Sequence, residues 1–175
     1  MYPGKYAEQN PARSAFVMAA TGERVSYQEF EARSNRVAHY LADKGLGFQD
    51  HYSIFMENNN RYLESCAAGE RSGLYFTCIN SFLTSDELAY IINNSESKIL
   101  ITSISKLEAA QEALAQCVAI KEVLVVGAGD ADLPQGMSDF ESALSKYPET
   151  PLEKELLGAA MLYSSGTTGR PKGIV

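Results

Sequence analysis

A doubly wound, mostly parallel α/β sheet preceded by a β-hairpin is the fold class that this sequence predicts. Strand-like and helix-like segments alternate about five times before a last apolar run at Ala159 to Tyr163, and such alternation reads as parallel strands joined by crossover helices. Helix starts carry Ser/Thr-x-x-Glu capping boxes directly before apolar residues at helical spacing. The 175 residues, 45% of them apolar, suffice for one domain with a buried core.

Taken in order, Ser14 to Ala20, the turn Thr21-Gly22-Glu23 and Arg24 to Tyr27 read as the hairpin. Ser26 with Glu29 boxes a helix whose Phe30, Val37 and Leu41 share a face until Gly45 ends it. His51 to Met56 is a strand, and Asn58, Asn59 and Asn60 offer N-caps for a helix through Glu70 that closes near Gly73. Leu74 to Ile79 is a strand. Thr84 with Glu87 boxes a short helix through Ile92. Lys98 to Thr102 and Lys121 to Gly127 are strands, separated by a helix from Ser105 to about Cys117. Ser138 with Glu141 reads as a third boxed helix, ending before Pro148. Tyr147 to Gly158, with its prolines and glutamates, reads as a flexible linker, and Ala159 to Tyr163 as a buried strand.

Bulk chemistry narrows the function. A net charge of −7 and a pI near 4.9 argue against a nucleic-acid partner, which calls for a basic surface. Three cysteines, Cys66, Cys78 and Cys117, form no C-x-x-C and lie near no histidine pair, so they read as free thiols and no metal site is assigned. No apolar run reaches the roughly 18 residues of a membrane span, and the start from Met1 to Tyr6 lacks the pattern of a signal peptide. A cytoplasmic protein is expected.

The chemistry concentrates after the last apolar run, in Ser164-Ser165-Gly166-Thr167-Thr168-Gly169-Arg170-Pro171-Lys172-Gly173. Glycines let successive backbone N–H groups approach phosphate oxygens, hydroxyls add donors, and Lys172 adds a point charge. In such sheets ligands bind beyond the carboxyl ends of the strands, where this loop falls. A Walker loop fails on spacing, because Arg170 and Pro171 separate Gly169 from Lys172 and Gly173 stands where a metal-binding hydroxyl belongs. Gly127-Ala128-Gly129 lacks the third glycine of a dinucleotide fingerprint and reads as a solvated turn. Neither Ser164 nor Ser165 sits in G-x-S-x-G, and His39 and His51 have no catalytic partner placed by sequence.

The loop resembles the Y-[T/S]-S-G-T-T-G-x-P-K-G signature of the adenylate-forming acyl-CoA synthetases, the AMP-binding superfamily. Arg24 to Phe30 is similar to that family's L-T-Y-x-E-L box, and Arg71 to Asn80 to its K-x-G-x-x-x-x-P-I-N/D box, with Cys78 in place of the usual proline. The resemblance implies the large N-terminal domain of such an enzyme and a two-step reaction as an acid–thiol ligase. A carboxylate attacks ATP to give an acyl-adenylate and pyrophosphate; coenzyme A then takes the acyl group. Ser164, Ser165, Gly166, Thr167, Thr168, Gly169 and Lys172 would bind the phosphates, with Lys172 the catalytic charge, and Mg2+ would be required. The wording of the loop is more like the fatty-acyl and aryl-acid branch than the peptide-synthetase branch.

Such enzymes run to several hundred residues, whereas this chain stops two residues after Gly173. The later glutamate box that holds magnesium, the adenine-binding segments and the C-terminal lid with its lysine all follow that point in the family. Residues 1–175 are therefore expected to be an incomplete AMP-binding domain, inactive alone. A phosphate-binding module without turnover, or a scaffold that self-associates through an open sheet edge, stand as alternatives.

Overall fold

The computed structural model describes residues 2–164 and 171–175. A short helix α1 (Gly4–Gln9) precedes the antiparallel pair β1 (Ser14–Val17) and β2 (Arg24–Ser26). Then follow α2 (Tyr27–Asp43), β3 (His51–Phe55), α3 (Tyr62–Ser72), β4 (Tyr75–Cys78), α4 (Ser85–Asn94) and β5 (Ile99–Ser103). A 3-10 turn leads into α5 (Leu107–Leu114), β6 (Glu122–Val126), β7 (Met137–Asp139) and α6 (Phe140–Leu144). The chain ends with β8 (Ala159–Ala160), β9 (Leu162–Ser164) and β10 (Lys172–Ile174).

The main sheet has the order β7-β6-β5-β3-β4-β8, and every pairing in it is parallel. Its two faces carry separate cores. One joins Val37 and Leu41 of α2 and Ala68 of α3 to Tyr52, Ile54, Phe76 and Ile101; the other joins Leu88 and Ile92 of α4 and Ala110 of α5 to Phe55, Leu100 and Val123. Consecutive strand residues point to opposite faces, so β5, buried at all five positions, feeds both.

The expected boxes at Ser26/Glu29 and Thr84/Glu87 are both formed, with each Glu returning a hydrogen bond to the cap backbone. Gly73 closes α3 in the left-handed region at φ 70°, as expected of a C-cap glycine.

Other expectations are corrected. The third box is not built: Ser138 is spent in β7 opposite Leu124, and Asp139 caps α6, its Oδ1 accepting from the Ser142 N–H at 2.8 Å. No asparagine is the N-cap of α3; the cap is Arg61, whose N–H donates to Asn59 Oδ1. Residues 147–158 are not a loose linker. Asn35 and His39 bind the carbonyls of Glu149 and Thr150, Leu156 N–H donates to the Arg71 carbonyl, and Gly158 N–H donates to that of Glu70. The last apolar run is not one buried strand: Ala159–Ala160 joins the sheet, while Leu162 is 61% exposed and belongs to a separate pair. Apolar composition alone does not decide burial where one side of a strand has no neighbour among the described residues.

Among the described residues, no helix is long and apolar enough to cross a membrane.

Candidate functional site

The candidate site begins where the chain leaves the main sheet. Ala159 N–H donates to the Leu74 carbonyl at 3.1 Å and Met161 N–H to that of Phe76 at 2.9 Å, so β8 runs beside β4 and emerges at the carboxyl end of the sheet. Close approach is built in at Gly158: a Cβ there would stand 2.1 Å from the Gly69 carbonyl oxygen and 2.4 Å from that of Leu74.

β9 then pairs antiparallel with β10, in the register Ser164 to Lys172, Tyr163 to Gly173 and Leu162 to Ile174. Two expected site residues, Ser164 and Lys172, eight positions apart in sequence, thus face each other directly, and both are exposed. At Gly173 a Cβ would stand 2.3 Å from the Met161 Cε, the free end of a flexible side chain that can move aside, and 3.1 Å from the Tyr163 ring. The remaining expected residues, Ser165, Gly166, Thr167, Thr168 and Gly169, lie outside the described residues, as does Arg170.

Two tyrosine hydroxyls fasten this pair to α4. Tyr163 donates to Asn94 Oδ1 at 2.8 Å, and Tyr90 donates to the Pro171 carbonyl at 2.9 Å, so one bond holds each flank of the loop. Burial, with Tyr90 close by, pushes the Tyr163 hydroxyl up to about 12, so it stays a proton donor even in alkaline solution. Two bonds on one helix fix position better than either alone, because each limits the rotation the other leaves free.

Neighbouring cavities differ in what they can hold. One of about 570 Å³ is lined by Leu83, Asp86, Glu87, Ala89, Tyr90, Asn93, Gln116 and Pro171. Its carboxylates, Asp86 and Glu87, repel a phosphate tail. It therefore flanks the candidate site without being its anion pocket. A second, of about 350 Å³, lies past β3 and β4 and is lined by Glu57, Tyr62, Ile79 and Asn80 among others.

Glu57 is a candidate that the sequence reading passed over. Burial works to raise its carboxyl, but hydroxyls of Ser103 at 2.5 Å and Ser105 at 2.6 Å outweigh it and hold the group below its ordinary value. An acidic residue two positions after a central parallel strand was the available signal, since the carboxyl ends of such strands carry ligand sites. His39 and His51 are otherwise engaged, His39 at the Thr150 carbonyl and His51 against the Tyr75 ring. Gly127 and Gly129 both take positive φ in a turn, with Gly129 N–H donating to Asp139 and the next helix starting only at Phe140. Among the described residues no three of His, Cys, Asp and Glu gather as a metal cage.

Comparison with known proteins gives a family from sequence and a fold from structure. The family model described as AMP-binding enzyme matches residues 5–175. A 3-oxocholest-4-en-26-oate–CoA ligase of Rhodococcus rhodochrous is 32% identical over 162 residues, covering 90% of this chain and 29% of that protein. A long-chain-fatty-acid–CoA ligase of Thermus thermophilus is 30% identical over 157 residues, covering 89% and 28%. The chain thus spans about three tenths of the length of these relatives. The crystal structure of the anthranilate CoA ligase AuaEII in complex with anthranoyl-AMP superposes with a TM-score of 0.84 at 20% identity, over 99% of this chain and 34% of that one. That likeness gives the fold, the α/β architecture of the N-terminal domain of an adenylate-forming ligase. The chain belongs to the AMP-binding enzyme family, the adenylate-forming CoA ligases.

Proposed function

We propose that this chain supplies the phosphate-gripping part of an ATP-dependent acyl-CoA ligase, and that residues 1–175 form an incomplete AMP-binding domain without turnover of their own. Its family works on ATP, coenzyme A and a carboxylic acid. The observation that carries the reading is the register of Ser164 against Lys172, tied to α4 by Tyr163 and Tyr90, at the end of the sheet where such folds bind ligands.

In the proposed reaction a carboxylate oxygen attacks the α-phosphorus of ATP, forming the acyl-adenylate as pyrophosphate leaves. The thiolate of coenzyme A then attacks the acyl carbonyl, and AMP leaves. The part of this chain is electrostatic. Hydroxyls of Ser164, Ser165, Thr167 and Thr168 and the N–H groups at Gly166 and Gly169 would donate to the β- and γ-phosphates, and Lys172 would offset charge on the departing pyrophosphate. Donors fixed before the reaction cost no reorganisation as charge develops, which is why the anchoring of both flanks matters. Among the described residues no three of His, Cys, Asp and Glu gather as a metal cage, and Mg2+ would come with the nucleotide, held mainly by phosphate oxygens whose charge it would offset. A fatty or aryl acid is the proposed substrate class, supported by the names of the relatives.

ATP–pyrophosphate exchange tests the reading, with a panel of fatty and aryl acids, in a ligase that carries this chain at full length. Lys172→Ala is expected to lower exchange roughly thirtyfold, about 2 kcal/mol of transition-state stabilisation. An unchanged rate removes the role given to Lys172. The 175-residue chain alone is expected to show no exchange, and any exchange by it contradicts the incomplete-domain reading.

A further inference from the structure

Two of the three thiols face each other across an element boundary. Cys66 lies on α3 and Cys78 ends β4, and their Sγ atoms are 3.6 Å apart. Both are half-buried, and eleven residues, 67–77, separate them in sequence. Cys117 stands apart, its Sγ donating to the Ala113 carbonyl at 3.3 Å.

The surroundings make the two sulfurs unequal. The Cys78 thiol is lowered by the hydrogen bond from Cys66, against the opposing effect of burial and with help from the Tyr62 hydroxyl. Cys66 is pushed up, first by that same bond and then by burial, so it keeps its proton. One sulfur is thus poised as the attacking thiolate and the other as a resolving thiol, the arrangement a redox-responsive pair needs. Access rests on partial exposure, since each of the two residues is only half-buried. The 350 Å³ cavity lies nearby, lined by Tyr62, one helical turn before Cys66, and by Ile79, next after Cys78, but by neither cysteine. A metal is the weaker alternative, because two thiols make half of a tetrahedral cage and no third ligand gathers with them among the described residues.

We propose that Cys66 and Cys78 form a reversible redox site, closing to a disulfide under hydrogen peroxide and reopening under a dithiol. In the first step the Cys78 thiolate attacks one peroxide oxygen; the O–O bond breaks, hydroxide leaves, and Cys78 becomes a sulfenic acid. In the second, the Cys66 sulfur attacks the Cys78 sulfur, the S–O bond breaks, and the hydroxyl departs as water with the Cys66 proton. Two thiols and one peroxide give one disulfide and two waters. An S–S bond is about 2.05 Å long, so the sulfurs must close by about 1.5 Å. Closure fastens α3 to the exit of β4, the strand whose Phe76 carbonyl holds Met161 and whose preceding residue, Leu74, holds Ala159.

The reduced 175-residue chain is exposed to graded hydrogen peroxide, quenched with catalase, alkylated and weighed intact. The expected result is loss of two thiols together with the mass of two hydrogens, a Cys66–Cys78 cross-link in the digest, alkylated Cys117, and full recovery with dithiothreitol. In Cys66→Ser, dimedone should trap a sulfenic acid at Cys78 at least about tenfold faster than at Cys117. Three alkylated thiols at every dose overturn the proposal. So do oxidation of Cys117 as fast as Cys78, and disulfides found only between chains.

Discussion

β5 and β9 have similar composition and opposite circumstances. Ile99–Ser103 is flanked by β3 and β6, buried at every position, and touches both cores. Leu162–Ser164 has one described partner, β10, and is half-buried or exposed throughout. The contrast teaches that position in the sheet, not apolar content, divides this molecule into a part that holds the fold and a part free to present chemistry. Burial excludes water from β5 and leaves no room for a ligand. The β9–β10 pair keeps its polar ends in solvent and takes its placement from tethers: the backbone bonds of Ala159 and Met161, and two tyrosine hydroxyls.

Truncating each strand sharpens the comparison most. Leu100→Ala empties a fully buried site between two strands and is expected to cost about 3 kcal/mol of unfolding free energy in urea. Leu162→Ala, at an exposed site, is expected to cost about 0.5 kcal/mol or less. Equal losses would erase the division. Next comes the tether itself. Gly158→Ala sets a Cβ against two backbone oxygens that cannot move aside as side chains can, and should cost about 2 kcal/mol. Hydrogen exchange at the Ala159 and Met161 amides should rise with it, whereas Gly47→Ala, with open space around the new methyl, should leave both unchanged. Unaltered protection in Gly158→Ala would mean that the edge is not held there.

The same division explains what the sequence made legible. The capping boxes of Ser26 and Thr84 could be read because both partners lie within one turn of helix. At Ser138 the same Ser-x-x-Glu spelling misled: its residue is taken by pairing with β6, and the adjacent carboxylate of Asp139 is the stronger acceptor. Helix α1 escaped notice because it has no side-chain cap and no buried residue to give a period. The anchoring of residues 147–158 depends on Asn35, His39, Glu70 and Arg71, all far away in sequence. Of the candidate site, the sequence shows only residue types and their spacing. The facing of Ser164 and Lys172, their tethers on α4, the cluster around Glu57 and the meeting of Cys66 with Cys78 are products of tertiary pairing, which no local pattern encodes.

A smaller effect separates the two regions by charge. Glu64 is buried on α3 between Arg33 and Arg61, at 3.2 and 3.0 Å, whereas Lys172 is an exposed cation at the edge. Burial raises the Glu64 carboxyl from 4.5 to about 7 despite both guanidinium groups. Between those values the folded chain keeps a proton that the unfolded chain has released. This contribution to stability is complete below about pH 4.5 and declines as pH rises to about 7, by at most about 1.4 kcal/mol per pH unit. His51 acts with the opposite sign in an overlapping window, because burial lowers it from 6.5 and the unfolded chain then binds the extra proton. Asp50 and Glu57 are both lowered and matter only as pH falls below their ordinary values of 3.8 and 4.5. The measurement is therefore a difference: urea stability from pH 4.5 to 7.5 for the parent and for Glu64→Gln, in which the His51 contribution cancels. The difference should change steadily across the window, and Lys172→Ala should run parallel to the parent. A constant difference in Glu64→Gln would mean that the two arginines keep Glu64 ionised throughout, and that the buried centre holds a settled ion triad in place of a titrating group.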